Sequence, residues 1–159
     1  MWTDHGWHLG EKQHWRKFSL REEASRTPLM FVVPKGVAKA VPGGTQAGLR
    51  VERPVGLIDI YPTLLDLCGL PANPANEGSS LVRLLADNNA TWHRPALTTH
   101  GRNNHGLRSP RWRYIRYADG SEELYDHQAD PNEWRNLADD PKLAGAEKRL
   151  AEWLPKVDA

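Results

Sequence analysis

The strongest constraint on the fold is a series of short apolar segments after Pro95, separated by turn residues. The predicted strands are 96–99, 105–109, 112–117 and 122–125, with a turn at 101–104. The pair Asp119-Gly120 separates the last two strands, and Asp-Gly is typical of tight hairpin turns because both central residues adopt positive φ. The pattern therefore predicts an antiparallel meander of four strands.

A helical pattern follows the predicted sheet at residues 143–154. Its apolar residues Ala144, Leu150, Ala151 and Leu154 are predicted to face the sheet. A sheet with one helix across it makes a small α+β subdomain. We therefore predict a domain boundary near residue 94, with residues 1–94 and 95–159 on either side.

The first part of the chain reads as alternating strands and helices. Predicted strands are 1–3 and 29–33, predicted helices are 20–25, 54–70 and 80–86, and 35–48 is a predicted loop. Pro62 predicts a kink or a late start near Tyr61 in the longest helix, because proline lacks the amide hydrogen that a helix interior needs. Asp59 and Asp66 on this helix suit catalytic carboxylates, but a solvated face or a local cap is favoured.

Composition excludes several classes of function. The formal net charge is +1, with 39% hydrophobic and 26% charged residues, which gives no global bias toward nucleic acid or membranes. No apolar run approaches the roughly 20 residues of a membrane-spanning helix. Cys68 is the one cysteine, so an internal disulfide and a cysteine-based zinc site are excluded. The compartment stays open.

Basic residues alternate with aromatic ones around the third predicted strand. The basic residues are Arg108, Arg111, Arg113 and Arg116, and the aromatic ones are Trp112, Tyr114 and Tyr117. Such interleaving occurs in nucleic-acid-binding surfaces. The spacing equally fits a strand with one polar face, and Glu122, Glu123 and Asp126 on the next strand are available as partners. We favour the strand and predict no nucleic-acid partner.

The first seventeen residues combine acids, imidazoles and cations with three tryptophans. Asp4 and His5 stand side by side before Gly6, and carboxylate oxygen and imidazole nitrogen are both metal ligands. Gly6 would let the backbone turn sharply away. A polar loop explains the tripeptide about as well, so both interpretations stay open on these residues alone.

The order of motifs resembles the sulfatase family of the alkaline-phosphatase superfamily, and most closely its iduronate-2-sulfatase-like branch. The motifs are Asp4-His5-Gly6-Trp7, Leu9-Gly10-Glu11, Trp15 with Lys17, Thr27-Pro28-Leu29, Arg53-Pro54-Val55, 59–64, Gly69-Leu70-Pro71, 78–81, 111–117, 123–126 and 130–133. Each motif is moderately specific, whereas the ordered set is strong. The resemblance covers nearly all 159 residues.

The resemblance implies roles for particular side chains. Asp4 and His5 would hold a divalent metal, expected to be Ca²⁺, and Lys17 would contact the sulfate ester. Trp7 would lie beside the substrate. His100 and His105, near a hairpin tip, would help to bind it, although a hydrated turn explains either residue at least as well.

The resemblance also implies a fold and a division of labour. The fold would be α/β, the C-terminal portion of an alkaline-phosphatase-like sulfatase with a small antiparallel sheet and helix. The family's nucleophile is a formylglycine made from a C/S-x-P-x-R motif, which this chain lacks. The missing N-terminal half of the same enzyme would supply it, so the chain alone is expected to be inactive.

The implied substrate is a sulfated small molecule or carbohydrate. A phosphodiester or phosphonate ester hydrolase of the same superfamily is the nearest alternative, and a non-catalytic domain that binds a partner chain is a second one. Neither a membrane nor a nucleic acid is expected as a partner.

Overall fold

The computed structural model describes residues 1–36, 41, 44–45 and 47–157. Its strands are β1 (His8–Leu9), β2 (Trp15–Arg16), β3 (Ala96–Thr99), β4 (His105–Arg108), β5 (Trp112–Arg116) and β6 (Glu122–Asp126). Its α-helices are α1 (Glu22–Ser25), α2 (Ile60–Leu67), α3 (Val82–Ala86) and α4 (Ala144–Ala151). Half of the predicted loop at 35–48 lies outside the described residues.

The chain forms two compact units. The first joins Met1–Leu29 to Pro95–Ala159, and the second is Met30–Arg94. This grouping does not follow the predicted division at residue 94, which concerned the domains of a longer enzyme and stays a prediction. The candidate residues near the N-terminus and the C-terminal sheet therefore belong to one unit.

The sheet of the first unit has the order β3-β4-β5-β6, and every neighbouring pair is antiparallel. The predicted meander is therefore confirmed. Gly120 adopts φ 85° in the turn between β5 and β6, a conformation that favours glycine.

Helix α4 covers the hydrophobic core of this sheet. Leu107, Tyr114 and Leu124 of the sheet are buried together with Leu150 and Leu154. The prediction that Ala144 faces the sheet is wrong: Ala144 is exposed, and Ala146 is the buried alanine instead. Ala146 is four residues before Leu150 and so lies on the same face of the helix, which is the face that meets the core.

The second unit is built around α2. The helix begins at Ile60, which agrees with the late start predicted near Tyr61. Pro62 then lies in the first turn, where its missing N–H costs no helical hydrogen bond. Asp59 is buried and accepts backbone N–H bonds from Gly56 at 2.9 Å and Ser79 at 2.8 Å, so it is a local cap. Asp66 is exposed to solvent.

Two predicted strands do not form. Trp2 makes an isolated antiparallel bridge to Leu29, and neither 1–3 nor 29–33 forms a strand. Val32 is 93% exposed, so the second segment is not a buried strand either. An apolar run becomes a strand only when neighbouring strands satisfy its backbone groups, and beyond Leu29 the described residues provide none. Among the described residues, no helix has the length and apolar character needed to cross a membrane.

Candidate active site

Asp4, His5 and Lys17 come together in the first unit. The Nζ atom of Lys17 lies 3.1 Å from Nε2 of His5, and Oδ2 of Asp4 lies 3.7 Å from the same nitrogen. The Asp4 side chain is 74% exposed and that of His5 is 31% exposed. A cation and an anion from solvent can therefore reach this group of three side chains.

The tautomer of His5 follows from its hydrogen bonds. Nδ1 lies 2.7 Å from the carbonyl oxygen of Gly6, which can only accept, so Nδ1 carries the proton. Nε2 therefore presents its lone pair, and the Lys17 ammonium donates to it. A backbone carbonyl that fixes one ring nitrogen and leaves the other as a ligand is the usual arrangement at metal-binding histidines.

Gly6 places this group against helix α1. Its N–H donates to the carbonyl of Ala24 at 2.7 Å, and a Cβ at this position would lie 2.0 Å from the carbonyl oxygen of Glu23. The sequence predicted that Gly6 allows a sharp turn. The structure gives a different reason, since glycine is needed because two backbone segments approach too closely for any side chain.

The loop that carries Lys17 has an unusual backbone. Residues with positive φ in this stretch are Gly10, Lys12, Gln13, Arg16 and Phe18. For non-glycine residues this conformation costs roughly 1–3 kcal/mol each and persists only where the surroundings impose it. The side chains of Trp15 and Phe18 are more than half exposed, so burial of these side chains does not supply the compensation.

A buried ionic cluster joins α1 to the sheet. Nε of Arg113 donates to Oε1 of Glu133 at 2.8 Å, its Nη2 donates to Glu22, and its Nη1 donates to the carbonyl of Leu20 at 2.9 Å. The Arg113 side chain is 1% exposed and that of Glu133 is fully buried. Arg108 adds a second guanidinium, with Nε 3.0 Å from Oε2 of Glu22.

The same cluster fixes the tautomer of His127. Nη2 of Arg108 lies 2.9 Å from Nδ1 of His127, and a guanidinium can only donate. Nε2 of His127 therefore carries the proton and donates to Oε1 of Glu133 at 2.8 Å. Each buried donor and acceptor named here has a partner, as buried polar groups require.

Ligand atoms of Glu22, His127 and Glu133 lie within 4.8 Å of one another, a spacing that also suits a metal ion. In this structure the two carboxylates are instead occupied by Arg108 and Arg113. A cation would have to displace two guanidinium groups, of which that of Arg113 is buried. The cluster is therefore structural, and the exposed Asp4–His5 pair is the better candidate for a metal.

The ion pairs shift the pKa values of both acids in the same direction. Burial raises the pKa of Glu22, but the charges of Arg113 and Arg108 outweigh it, so that pKa lies below its ordinary 4.5. Burial also raises the pKa of Glu133, and hydrogen bonding to His127 with the charge of Arg113 lowers it below 4.5. Both side chains therefore favour the charged form when folded.

Arg113 lies in the predicted strand but pairs with other acids than the sequence predicted. The predicted partners on the next strand were Glu122, Glu123 and Asp126, and Arg111 does pair with Asp126 at 2.7 Å. Arg113 instead points into the cluster with Glu22 and Glu133, which lie 91 and 20 residues away along the chain. Strand alternation identifies the face of a side chain but not a distant partner on that face.

Trp7, His100 and His105 are the other predicted site residues, and they lie in different surroundings. The Trp7 side chain is 51% exposed, with its ring centre 6.2 Å from that of His5. His100 stacks on Phe18 at 5.5 Å, and both border a cavity of about 430 Å³. The cavity is also lined by His8, His14, Arg21, Asn104 and Tyr117. His105 is buried in β4, with Nδ1 2.9 Å from Oγ1 of Thr99.

Comparisons with known proteins identify the family. The family described as "N-sulphoglucosamine sulphohydrolase, C-terminal" matches residues 10–159. A sulfatase of Formosa agariphila is 42% identical over 159 residues, which is 100% of this chain and 30% of that protein. Arylsulfatase K of Homo sapiens is 33% identical over 151 residues and is matched over 26% of its length.

A solved structure described as a 2-O GAG sulfatase has a TM-score of 0.74 and 28% identity, and covers 95% of this chain and 34% of that one. The chain thus spans about a third or less of the length of these relatives. It has the α/β architecture of the C-terminal portion of an alkaline-phosphatase-like sulfatase, while a particular likeness to iduronate-2-sulfatases stays a prediction. The chain belongs to the sulfatase family, and its sequence corresponds to the family's C-terminal part.

Proposed function

We propose that this chain carries part of the metal and sulfate site of a sulfate ester hydrolase. Asp4 and His5 would hold a divalent cation, and Lys17 would contact the sulfate group. The convergence of these three side chains supports the proposal most strongly, because Lys17 is twelve residues from His5 and its Nζ is still within 3.1 Å of Nε2.

The donor set suits a divalent cation only in part. A carboxylate oxygen and an imidazole nitrogen are suitable ligands, and their 3.7 Å separation allows one ion to bind both. Calcium takes six to eight ligands, mainly oxygens, so the remaining ligands would be water molecules and residues of the N-terminal part of the enzyme. Such an ion would supply Lewis-acid polarisation of the sulfate oxygens.

Lys17 would stabilise negative charge on the sulfate. An ammonium group held beside the reacting centre favours the transition state when the charge on the oxygens increases there. Without a bound cation, the His5 ring, fixed through Gly6, holds that ammonium beside the site. A cation bound at Nε2 would take the same lone pair, so the ammonium would then be released toward the sulfate. The nucleophile is proposed to be a formylglycine on the N-terminal part of the same enzyme, as the family resemblance implies.

The proposed substrate is a sulfated sugar. The cavity beside Phe18 is within the roughly 300–1,000 Å³ range of small-molecule sites. The ring centre of Phe18, which lines the cavity, also lies 5.5 Å from Nζ of Lys17, and we propose that a sugar in the cavity presents its ester toward that ammonium. Trp7 and His100 would contact the sugar. The buried His105 would contribute indirectly, through its hydrogen bond to the side chain of Thr99.

A fusion protein tests this proposal. The N-terminal part of the Formosa agariphila sulfatase is joined to this chain in place of its own C-terminal 30%. We expect the fusion to hydrolyse an aryl sulfate in the presence of Ca²⁺. Asp4→Asn, His5→Gln and Lys17→Ala should each lower kcat/KM by about 10²-fold or more, as loss of a charge-stabilising group does elsewhere.

The matched control is Lys142→Ala, which removes an exposed lysine of the same unit. An active fusion in which Lys17→Ala behaves like Lys142→Ala would contradict the assignment of Lys17. An aryl phosphonate is assayed in parallel to test the alternative substrate class. A phosphonate monoester hydrolase from Silicibacter pomeroyi has a TM-score of 0.75 to this chain and 27% identity, over 95% of this chain and 32% of that one. A preference for the phosphonate would favour that alternative.

A further inference from the structure

The segment from Lys12 to Glu22 carries Lys17 at its centre and has contacts to the sheet region at both ends. Between these ends its backbone is left-handed at Arg16 and Phe18, on either side of Lys17. Nearer to Lys17, Arg16 pairs with His8, and the Lys17 carbonyl accepts a hydrogen bond from Nε2 of His14 at 2.7 Å. We expect a displacement at either end to shift this backbone and with it the Lys17 side chain. Glu133 contacts both ends, and at the Glu22 end it acts together with Arg108 and Arg113.

The first end is held by Lys12. Its ammonium donates to the backbone carbonyl of Glu133 and lies 4.8 Å from the ring centre of Tyr125 and 5.7 Å from that of Trp134. Cations are attracted to aromatic faces at these distances. Burial lowers the pKa of Lys12, as expected for an amine enclosed by rings.

The second end is held by the Glu133 carboxylate. Oε2 accepts the backbone N–H of Glu22 at 3.3 Å, while Oε1 is bound by Arg113 and His127. Glu133 itself has φ 56°, which turns its carbonyl and its side chain toward the two ends of the same segment. One residue of the C-terminal region thus contacts Lys12 and Glu22 simultaneously.

We propose that Glu133 is a positioning residue for Lys17, because it fixes both ends of the Lys12–Glu22 segment and thereby sets where the Lys17 ammonium lies. Its consequence for catalysis rests on the proposed function, in which Lys17 contacts the sulfate. The structural part does not depend on any reaction.

Chemical labelling of Lys17 tests the positioning directly in the chain. A small N-hydroxysuccinimide ester acetylates free lysine amines, and mass spectrometry gives the rate at Lys17 relative to the exposed Lys142 of the same molecule. An ammonium held against His5 reacts slowly. Lys12→Met and Glu133→Gln should each raise the relative Lys17 rate about threefold or more, because the segment opens locally.

Two controls separate positioning from general loosening. Lys12→Arg keeps a cation that donates to the same carbonyl and should restore slow labelling. Arg111→Gln removes an ion pair to Asp126 that does not touch the segment, and it should leave the relative Lys17 rate unchanged. Lys12→Met leaves the buried cluster intact, so this variant carries the test if Glu133→Gln does not fold.

The proposal is overturned if Lys12→Met leaves the relative Lys17 rate unchanged, or if Arg111→Gln raises it equally. The aryl sulfate assay addresses the other question. The expected labelling changes, together with an active fusion in which Lys17→Ala behaves like Lys142→Ala, would reject the proposed function and keep the positioning. Unchanged labelling, together with a fusion that loses activity in Lys17→Ala, would reject the positioning and keep the proposed function.

Discussion

The N-terminal segment and the C-terminal sheet belong to one compact unit but are stabilised differently. The sheet has regular pairing and a core of Leu107, Tyr114 and Leu124 beneath α4. The segment 1–29 has two two-residue strands, one short helix and several left-handed residues. Its polar and ionic contacts, more than its own apolar core, connect it to the sheet.

This difference indicates where the candidate site gets its geometry. Asp4, His5 and Lys17 lie in the segment that would be least ordered by itself, since it has little regular hydrogen bonding. Buried ion pairs are specific in direction and partner, so the cluster around Arg113 can impose one arrangement on an irregular chain. The regular sheet thus supports the candidate site, and the irregular N-terminal segment carries its side chains.

The largest expected effect on stability comes from removing Arg113, which joins the N-terminal segment to the sheet. Arg113→Leu leaves the buried carboxylates of Glu22 and Glu133 without a principal partner, and we expect a loss of about 3–5 kcal/mol in the free energy of unfolding. Urea titration measures it. Arg111→Gln is the control, because Arg111 is half exposed and a solvent-exposed ion pair such as the one with Asp126 contributes little to stability. Equal losses would contradict a special role for the cluster.

A methyl group at Gly6 should separate the segment from α1. Gly6→Ala places a Cβ against the Glu23 carbonyl, so we expect a loss of about 1–3 kcal/mol in thermal or urea unfolding. Gly145→Ala is matched to it, since Gly145 lies in α4 with a flexible Arg149 side chain as its nearest neighbour. That change should be neutral or stabilising by up to about 1 kcal/mol. A harmless Gly6→Ala would show that the close approach is not maintained in solution.

Acid should weaken the cluster before it weakens the sheet's apolar core. The pKa values of Glu22 and Glu133 are lowered on folding, so the unfolded chain binds more protons in acid. Their stabilising contribution is complete above pH 4.5 and is lost as the pH falls below it through the folded values. The free energy of unfolding, measured from pH 7 to pH 3, should fall less steeply in Glu22→Gln. Identical slopes would contradict the prediction.

The smallest expected effect on stability is at the site itself. Lys17→Ala removes one half-exposed side chain that donates to His5 and should change the free energy of unfolding by no more than about 0.5 kcal/mol. Denaturant unfolding beside the Arg113 variant gives the contrast. A loss above 2 kcal/mol would mean that Lys17 supports the fold and not only the chemistry.

The sequence predicted what local patterns determine. Alternating residues and Asp119-Gly120 predicted the sheet, and Pro62 predicted the late start of α2. The strand at 29–33 was wrong because an apolar run carries no information on whether neighbouring strands are present. The triad of Asp4, His5 and Lys17 was assigned from a family resemblance, and its roles stay predictions.

The ionic cluster could not be predicted from the sequence. Glu22, Arg113 and Glu133 are far apart along the chain and resemble ordinary surface charges. The one local sign was Arg113 in a strand next to Tyr114 and Ile115, which are buried, because a charge inside an apolar strand requires a distant partner. Which acid provides that partner depends on tertiary contacts.

Native-state hydrogen exchange of the Gly6 amide tests most directly whether the sheet holds the site segment. This amide is bonded to Ala24 at the junction between the Asp4–His5 pair and α1, and its opening free energy can be compared with that of Leu107 in β4. We predict that both amides exchange through the same large opening, with similar free energies and a similar dependence on denaturant. A Gly6 amide that exchanges with less than about half the free energy of Leu107, independently of denaturant, would contradict the account.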